Sequence, residues 1–347
     1  MESQSILETC PFHLRDDKIR LLWEITSRCN LKCRHCLYYG HGVDEDRCRD
    51  LSVCEVERIL DSIAEDKRVT AIWLSGGEPL VRKDIVEICS SITRHGIIPS
   101  ISTNGTLLTA NLIEALWTAG VHYIHLSIDG SKASTHDELR QSPGAFDKVL
   151  KALEMLASSP IDVGASFMVT EQSIGEVFDV YRLAQSFGVK TLSFYTPAPL
   201  GRGRQMHSNS LLLNKKMITI LASFPSSNIK VEAPRLYLKN NRDNVLQTCR
   251  GSSFLTITST GDLGACPWLM KSPLSFTVGN LLLHPFSELV GKCRDGMHNL
   301  LESRLSKLVF CRNKCENHNV CGKGCPALSS LDSETEFYYM DPMCPQI

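Results

Sequence analysis

Residues 23–39, from Trp23 to Tyr39, read W-E-I-T-S-R-C-N-L-K-C-R-H-C-L-Y-Y and set Cys29, Cys33 and Cys36 in a C-x3-C-x2-C array. An apolar, strand-like run, Leu21 to Ile25, leads directly into them. Three thiols on one short loop can converge on a metal centre. They are one ligand short of a closed tetrahedral zinc site and one short of a fully ligated iron–sulfur cluster. A cluster held by three thiolates leaves one iron open to an outside ligand. On these residues alone both metals stay open.

Outward from this loop the pattern is an alternation of strand-like and helix-like segments. Apolar, β-branched runs fall at Ile19–Ile25, Val69–Leu74, Ile97–Ser102, Val121–Ile128, Ile161–Val169 and Val189–Tyr195. Helical periodicity follows them at Leu51–Glu65, Asp84–His95, Ala110–Ala119, Ala145–Ala157, Ser173–Phe187 and Leu211–Phe224. Gly96, Gly120 and Gly188 stand where a helix-ending glycine belongs. Repeated strand–helix units predict right-handed crossovers and a parallel sheet. Six units are too few for a closed eightfold barrel, so an open partial barrel or a doubly wound sheet is expected. Either architecture gathers its chemistry at the carboxyl ends of the strands. There the chain places the cysteine loop, Ser75-Gly76-Gly77-Glu78-Pro79, Thr103-Asn104-Gly105, Asp129-Gly130 and the loop Pro197–Gly203.

Composition bounds the function. The chain has 347 residues, a size for about two domains. A formal net charge of −1 gives no field to steer it toward nucleic acid or an acidic membrane. The first residues show no basic-then-apolar signal pattern, and no apolar run reaches the ~18 residues of a membrane span. A cytoplasmic enzyme is the expectation, with no nucleic acid or membrane as partner. The 15 cysteines are the anomaly. Cytosolic thiols stay reduced, so clustered cysteines here point to metal or redox chemistry.

Eight of the 15 cysteines lie beyond residue 245. They include Cys249-x11-Gly261-x4-Cys266, then Cys311-x3-Cys315-x5-Cys321-x3-Cys325, then Cys344. A hairpin is expected around Phe254–Thr258 and Gly261–Gly264, and a helix over Pro285–Leu300. The tail has too little apolar periodicity to build a core alone, and bound metal would supply its cross-links. Residues 1–17 read as an arm, 18–224 as the repeat domain, 225–244 as a polar linker and 245–347 as the cysteine-rich domain.

C-x3-C-x2-C after the first strand, G-G-E-P after the second, and six βα units together resemble the radical S-adenosylmethionine (SAM) superfamily over Lys18 to about Phe224. The downstream cysteines are similar to the SPASM extension of that superfamily. The resemblance implies a partial (β/α)6 TIM-like barrel followed by a small cysteine-rich extension. Cys29, Cys33 and Cys36 would ligate a 4Fe–4S cluster whose open iron binds SAM. Reductive cleavage of SAM would yield a 5′-deoxyadenosyl radical that abstracts hydrogen from substrate. Glu78 would hold the methionyl amine after the glycine turn Gly76-Gly77, and Arg140 the SAM carboxylate. Ser127, Asp129 and Asn104 would line the same rim. Two auxiliary 4Fe–4S clusters would be held by Cys311, Cys315, Cys321 and Cys344, and by Cys249, Cys266 and Cys325. In place of the usual two, three residues separate Cys311 from Cys315. Leu37 stands where most relatives carry an aromatic residue against the adenine.

The implied substrate is a ribosomally made peptide that is crosslinked, oxidised or otherwise matured. Electrons would come from a donor such as flavodoxin or ferredoxin. The alternatives are side-chain modification of a tetrapyrrole in haem or haem d1 biosynthesis and, more distantly, sulfatase maturation. Outside enzymes, the alternative is a non-catalytic zinc-binding protein.

Overall fold

The computed structural model describes residues 19–38, 49–206 and 254–307, together with scattered positions in 213–247 and residues 325 and 327. Its centre is a parallel sheet. Strands β1 (Ile19–Thr26), β2 (Val69–Gly76), β3 (Ile98–Thr103), β4 (Tyr123–Ser127), β5 (Asp162–Met168) and β6 (Thr191–Tyr195) lie side by side in chain order. Each pair in this series is parallel. Between them run α1 (Val53–Ala64), α2 (Ile85–Arg94), α3 (Ala110–Thr118), α4 (Ala133–Arg140), α5 (Ala145–Ala157) and α6 (Val177–Ser186). This is the TIM-like partial barrel that the resemblance implies, one of the two architectures the repeats allow.

The helices form where local chemistry and tertiary burial agree. Ser52 caps α1, accepting from Glu55 N while the Glu55 side chain returns to the Ser52 backbone, a reciprocal capping box. Val56, Ile59, Leu60 and Ile63 give α1 one buried face at helical spacing. On β1, Leu21, Trp23 and Ile25 join that core, while the even-numbered residues turn the other way. Alternation continues through the sheet. Ile72 and Leu74, Ile124 and Leu126, Val163 and Ala165, and Leu192 and Phe194 are buried against the helices. The opposite face carries Glu24, Ser75, Ser102, Ser127, Ser166 and Ser193 toward the barrel interior.

Three features depart from the sequence reading. First, α4 is an added helix before α5; its polar sequence ASTHDELR carries no apolar stripe to announce it. Second, the segment expected as 173–187 opens with a 3-10 turn, Ile174–Glu176, before α6. Third, residues 225–244 supply two short strands. These are β7 (Lys230–Glu232), parallel to β6, and β8 (Leu238–Lys239), paired with β9 (Leu246–Gln247).

The expected hairpin forms, as β10 (Phe254–Ile257) and β11 (Asp262–Gly264), and it lies on the barrel. β10 runs parallel to β1, with Arg20 opposite Phe254 and Trp23 opposite Ile257. It occupies the β1 edge, whose backbone groups would otherwise be exposed for pairing. β12 (Thr277–Asn280) extends the hairpin, giving the order β12-β11-β10-β1-β2-β3-β4-β5-β6-β7 among the described residues. A short helix α7 (Pro267–Lys271) follows Cys266, and α8 (Phe286–Lys307) includes the expected 285–300 helix and runs further. Phe286 N donates to Ser62 Oγ at 2.9 Å, docking α8 against α1. Within the expected 211–224 helix, the described positions Leu213, Lys216, Met217, Thr219, Ile220 and Leu221 are helical. No helix among the described residues is long and apolar enough to cross a membrane.

Phe286 is fully buried in the same core as α1. Phe286→Ala is expected to lower stability by about 3–5 kcal/mol. Urea unfolding followed by circular dichroism should show one transition at lower midpoint, because the carboxyl-terminal segment shares the barrel's core.

Candidate active site

The cysteine loop begins where β1 ends, and the chain holds it by its backbone. Gly77 N donates to Thr26 O at 2.8 Å, and Glu78 N donates to Arg28 O at 2.9 Å. A Cβ on Gly77 would stand 2.1 Å from Arg28 O, and one on Gly76, at φ +122°, would stand 2.2 Å from Thr26 O. The two glycines therefore let the second strand's turn press against the cysteine loop itself. The loop's exit is held in the same manner. Arg202 N donates to Cys36 O at 2.9 Å, and a Cβ on Gly201 would meet that oxygen at 2.3 Å. The Pro197–Gly203 loop thus closes over Cys36 and Leu37.

Glu78 is fully buried at the centre of the rim. Its Oε1 accepts from Thr103 Oγ1 at 2.6 Å and from Leu80 N at 3.1 Å, and its Oε2 accepts from Asn104 N at 2.7 Å. Burial raises its pKa, and these donors pull against that rise. Three of a carboxylate's roughly four acceptor sites are engaged, leaving room for one more donor. Asn104 is a clamp as well as a turn former. Its Nδ2 donates to Asn30 Oδ1 at 2.9 Å, and its Oδ1 accepts from Thr106 N at 2.9 Å. Asn30, inside the cysteine loop, donates in turn to Thr106 Oγ1.

The other side of the loop meets α4. Arg34 N donates to Leu139 O at 2.9 Å. Arg140, the last residue of α4, is 8% exposed and pairs through Nη2 with Asp129 Oδ2 at 2.6 Å. Its Nη1 lies 3.7 Å from Cys33 Sγ, and its buried Nε meets no acceptor. Asp129 also accepts from Met168 N at 2.9 Å, tying β4 to β5. Burial pushes the Asp129 carboxyl up, but Arg140, His35 and His136 outweigh it and hold the pKa below the ordinary value. The Arg140 pKa is raised: burial acts against its charge, and Asp129 and Cys33 more than compensate. Burial draws His35 down to about 4, so its 3.7 Å contact with Asp129 involves a neutral ring near pH 7. Ser127 stands at the end of β4, opposite Ser166.

Cys29 and Cys36 are partly exposed and Cys33 is 7% exposed. Burial pushes the Cys29 thiol up to about 12 and raises that of Cys33, and the nearby cysteines add to both. Three thiolates here need cationic charge beyond Arg140, which a metal cluster supplies. No three His, Cys, Asp or Glu side chains among the described residues are gathered around a single-ion site. In a cubane cluster each thiolate takes a different iron, so the sulfurs stand apart. The donor set and the unused Arg140 Nε fit such a cluster with an anionic ligand beside it.

Sequence reasoning passed over a second buried group. Glu24, on the interior face of β1, is 5% exposed. Lys271 Nζ of α7 lies 3.1 Å from its Oε2 and 4.6 Å from the centroid of the Tyr38 ring. The Tyr38 hydroxyl sits beside the same carboxylate and Ser75. Burial raises the Glu24 carboxyl, against the pull of Lys271 and Tyr38. A lone acid inside the apolar run Leu21–Ile25 was the available signal.

The auxiliary set is described only at Cys266 and Cys325, both partly buried and packed against the central core. Cys249, Cys311, Cys315, Cys321 and Cys344 lie outside the described residues. Cys293 is buried in the apolar core of α8, its thiol pushed up to about 12 by burial.

Residues 23–184 match the Radical SAM superfamily. Among known proteins, the chain is 36% identical over 183 residues to the AdoMet-dependent heme synthase of Methanosarcina barkeri, a match covering 53% of this chain and about half (52%) of that protein. It is 28% identical to the Fe-coproporphyrin III synthase of the same organism, over 88% of this chain and 82% of that one. It is also 28% identical to the mycofactocin maturase MftC of Mycolicibacterium smegmatis, over 90% of this chain and 79% of that one. The fold resembles Streptococcus suis SuiB bound to S-adenosylmethionine, with TM-score 0.74 and 18% identity, over 94% of this chain and 77% of that one.

Two outcomes check the geometry. Gly77→Ala should displace the cysteine loop and lower the iron retained per chain after anaerobic reconstitution, with the far-ultraviolet circular dichroism unchanged. Asp129→Asn leaves a buried guanidinium unpaired and should cost about 3–5 kcal/mol at neutral pH. Because the folded Asp129 pKa lies below its unfolded value, its contribution is present above the unfolded carboxyl range, ~3.9, and is lost as pH falls through the folded pKa. The difference in stability between wild type and Asp129→Asn should therefore shrink on acidification below ~3.9.

Proposed function

We propose that this chain is an enzyme that reductively cleaves SAM and uses the resulting radical to abstract hydrogen from a ribosomally made peptide. The observation that carries the reading is the convergence, on one rim, of Cys29, Cys33 and Cys36 with a buried guanidinium whose Nε has no acceptor. Cys29, Cys33 and Cys36 would hold a 4Fe–4S cluster. When bound, the cluster supplies the electron that splits SAM into methionine and a 5′-deoxyadenosyl radical. Arg140, kept charged by Asp129, is placed to bind the SAM carboxylate. Glu78 has one remaining acceptor site for the methionyl amine. Asp129 acts by orienting Arg140, and Asn104 by holding the cysteine loop. Ser127, at the end of β4, offers a hydroxyl to the ribose. Leu37, under the Pro197–Gly203 loop, offers an apolar surface to the adenine in place of an aromatic ring.

We assign residues 18–224 to the radical SAM core and 245–347 to a SPASM-type extension. Cys311, Cys315, Cys321 and Cys344 would hold one auxiliary 4Fe–4S cluster, and Cys249, Cys266 and Cys325 the other. A flavodoxin or ferredoxin would deliver the electron. The peptide assignment is supported by the similarity to mycofactocin maturase across 90% of the chain. A second reading is modification of a tetrapyrrole, favoured by the two Methanosarcina relatives, one of them aligned over 88% of the chain. Both readings share the same cleavage chemistry and differ only in what occupies the barrel.

The triple substitution of Cys29, Cys33 and Cys36 by Ala is the direct test. Wild-type enzyme given SAM and dithionite should release 5′-deoxyadenosine and methionine. The triple variant should release neither, yet retain iron in its auxiliary clusters. A colourless wild type that takes up zinc and no iron under anaerobic reconstitution would favour the non-catalytic reading and end this one.

A further inference from the structure

The barrel interior above the sheet is lined mostly by small hydroxyl side chains. On consecutive strands stand Ser75, Ser102, Ser127, Ser166 and Ser193, with Ser75 opposite Glu24 and Ser166 opposite both Ser127 and Ser193. Below this layer, Trp73 packs edge-on against Tyr123 and His125, at 5.5 and 5.7 Å between ring centroids. Aromatic groups therefore fill the bottom of the barrel, and the serine layer lies above them. On this face of β1 the acid is Glu24, opposite Ser75.

Lys271 and the Tyr38 hydroxyl both approach the Glu24 carboxylate. Oε2 meets Lys271 Nζ at 3.1 Å, while the buried Oε1 meets no donor in hydrogen-bond geometry. A buried carboxylate oxygen without a donor costs about 1–3 kcal/mol or more, so it is a place where a ligand gains affinity. Lys271 is the complement. Its ammonium has three N–H donors, one spent on Glu24, and its side chain is 26% exposed. The Tyr38 ring beneath it fixes its position. The pair thus offers an acceptor and a donor side by side. A carboxylate ligand would match the donor and repel the acceptor. A backbone amide, with an N–H and a C=O, matches both.

We propose that Glu24 and Lys271 form a docking site for a backbone amide of the substrate, Glu24 Oε1 accepting its N–H and Lys271 Nζ donating to a carbonyl. The site rests on the peptide reading of the enzyme and makes that reading specific. It also explains why α7, directly after Cys266, reaches into the barrel: the carboxyl-terminal segment supplies half of the site. The isolated charge of either residue would be costly in this interior, and the pair keeps the site neutral overall.

The test uses iron-loaded, full-length enzyme and N-acetylalanine methylamide as probe, measured by equilibrium dialysis. Wild type should bind the probe saturably. An ester analogue, with oxygen in place of one backbone N–H and made at each position in turn, should bind about tenfold more weakly at one of them. The double variant Glu24→Leu with Lys271→Met replaces the pair by apolar groups of similar size, an exchange such cores often accept. It should lose the difference between amide and ester. Overturning results are absence of saturable binding to wild type, equal binding of amide and every ester by wild type, or discrimination that survives in the double variant. Tighter binding of propionate than of the amide, abolished by Lys271→Met, would also overturn the proposal and turn the site toward a carboxylate-bearing substrate. The ester comparison needs no substitution, so misfolding of the variant does not remove the test. SAM cleavage by wild type is read separately. If it fails, the radical reading falls; if it succeeds without amide discrimination, only this site falls.

Discussion

The close contact between two backbones governs this structure. Gly77 presses on the Arg28 carbonyl at a distance no side chain permits, and the hydrogen bonds from Gly77 N and Glu78 N fasten the cysteine loop to the end of β2. A loop of three thiols has little apolar content of its own to fix it. Its position comes from neighbours: the glycine turn on one side, Asn104 through Asn30 below, Leu139 O through Arg34 N on the other side, and Gly201 at the exit. Four separate segments are involved, and all but the Asn104–Asn30 contact act on the backbone of the loop. The rim is therefore set in place before any ligand arrives, which is the condition for holding a reactive centre accurately.

Electrostatics at the rim follow from burial. Thiols that low accessibility keeps protonated sit beside a guanidinium that Asp129 keeps charged. Arg140 is one positive charge against three thiolates and the bound anion of a ligand. A buried pair such as Asp129–Arg140 adds little net stability compared with apolar packing, yet it is costly to break. Its value is orientation, because it aims an unused N–H of Arg140 from a fixed helix end.

The carboxyl-terminal region is joined to the barrel in two ways. β10 takes the open edge of β1, and Lys271 crosses into the barrel interior to meet Glu24. The first is a matter of satisfying an exposed strand edge. The second places a charge from beyond Cys266 under the end of the cysteine loop, against Tyr38.

Much of this was legible in the sequence because it is local. C-x3-C-x2-C, G-G-E-P and the alternation of strand and helix are short-range patterns, and period and spacing specify them without knowledge of the partners. Helix ends at Gly96, Gly120 and Gly188 follow from one residue's access to positive φ. The polar helix α4 was not legible, since it is held by contacts of Asp137 and Glu176 rather than by an apolar stripe. The short strand β7 was hidden because pairing with the existing β6 edge needs little sequence preference. Glu24 and Lys271 are 247 residues apart, and only the folded barrel brings them together. The sequence alone thus determined the kind of chain this is, a partial barrel with a cysteine loop at its rim, because propensity and periodicity act over a few residues. The tertiary structure alone decided which polar groups meet inside that barrel, because a buried charge chooses its partner by proximity in space.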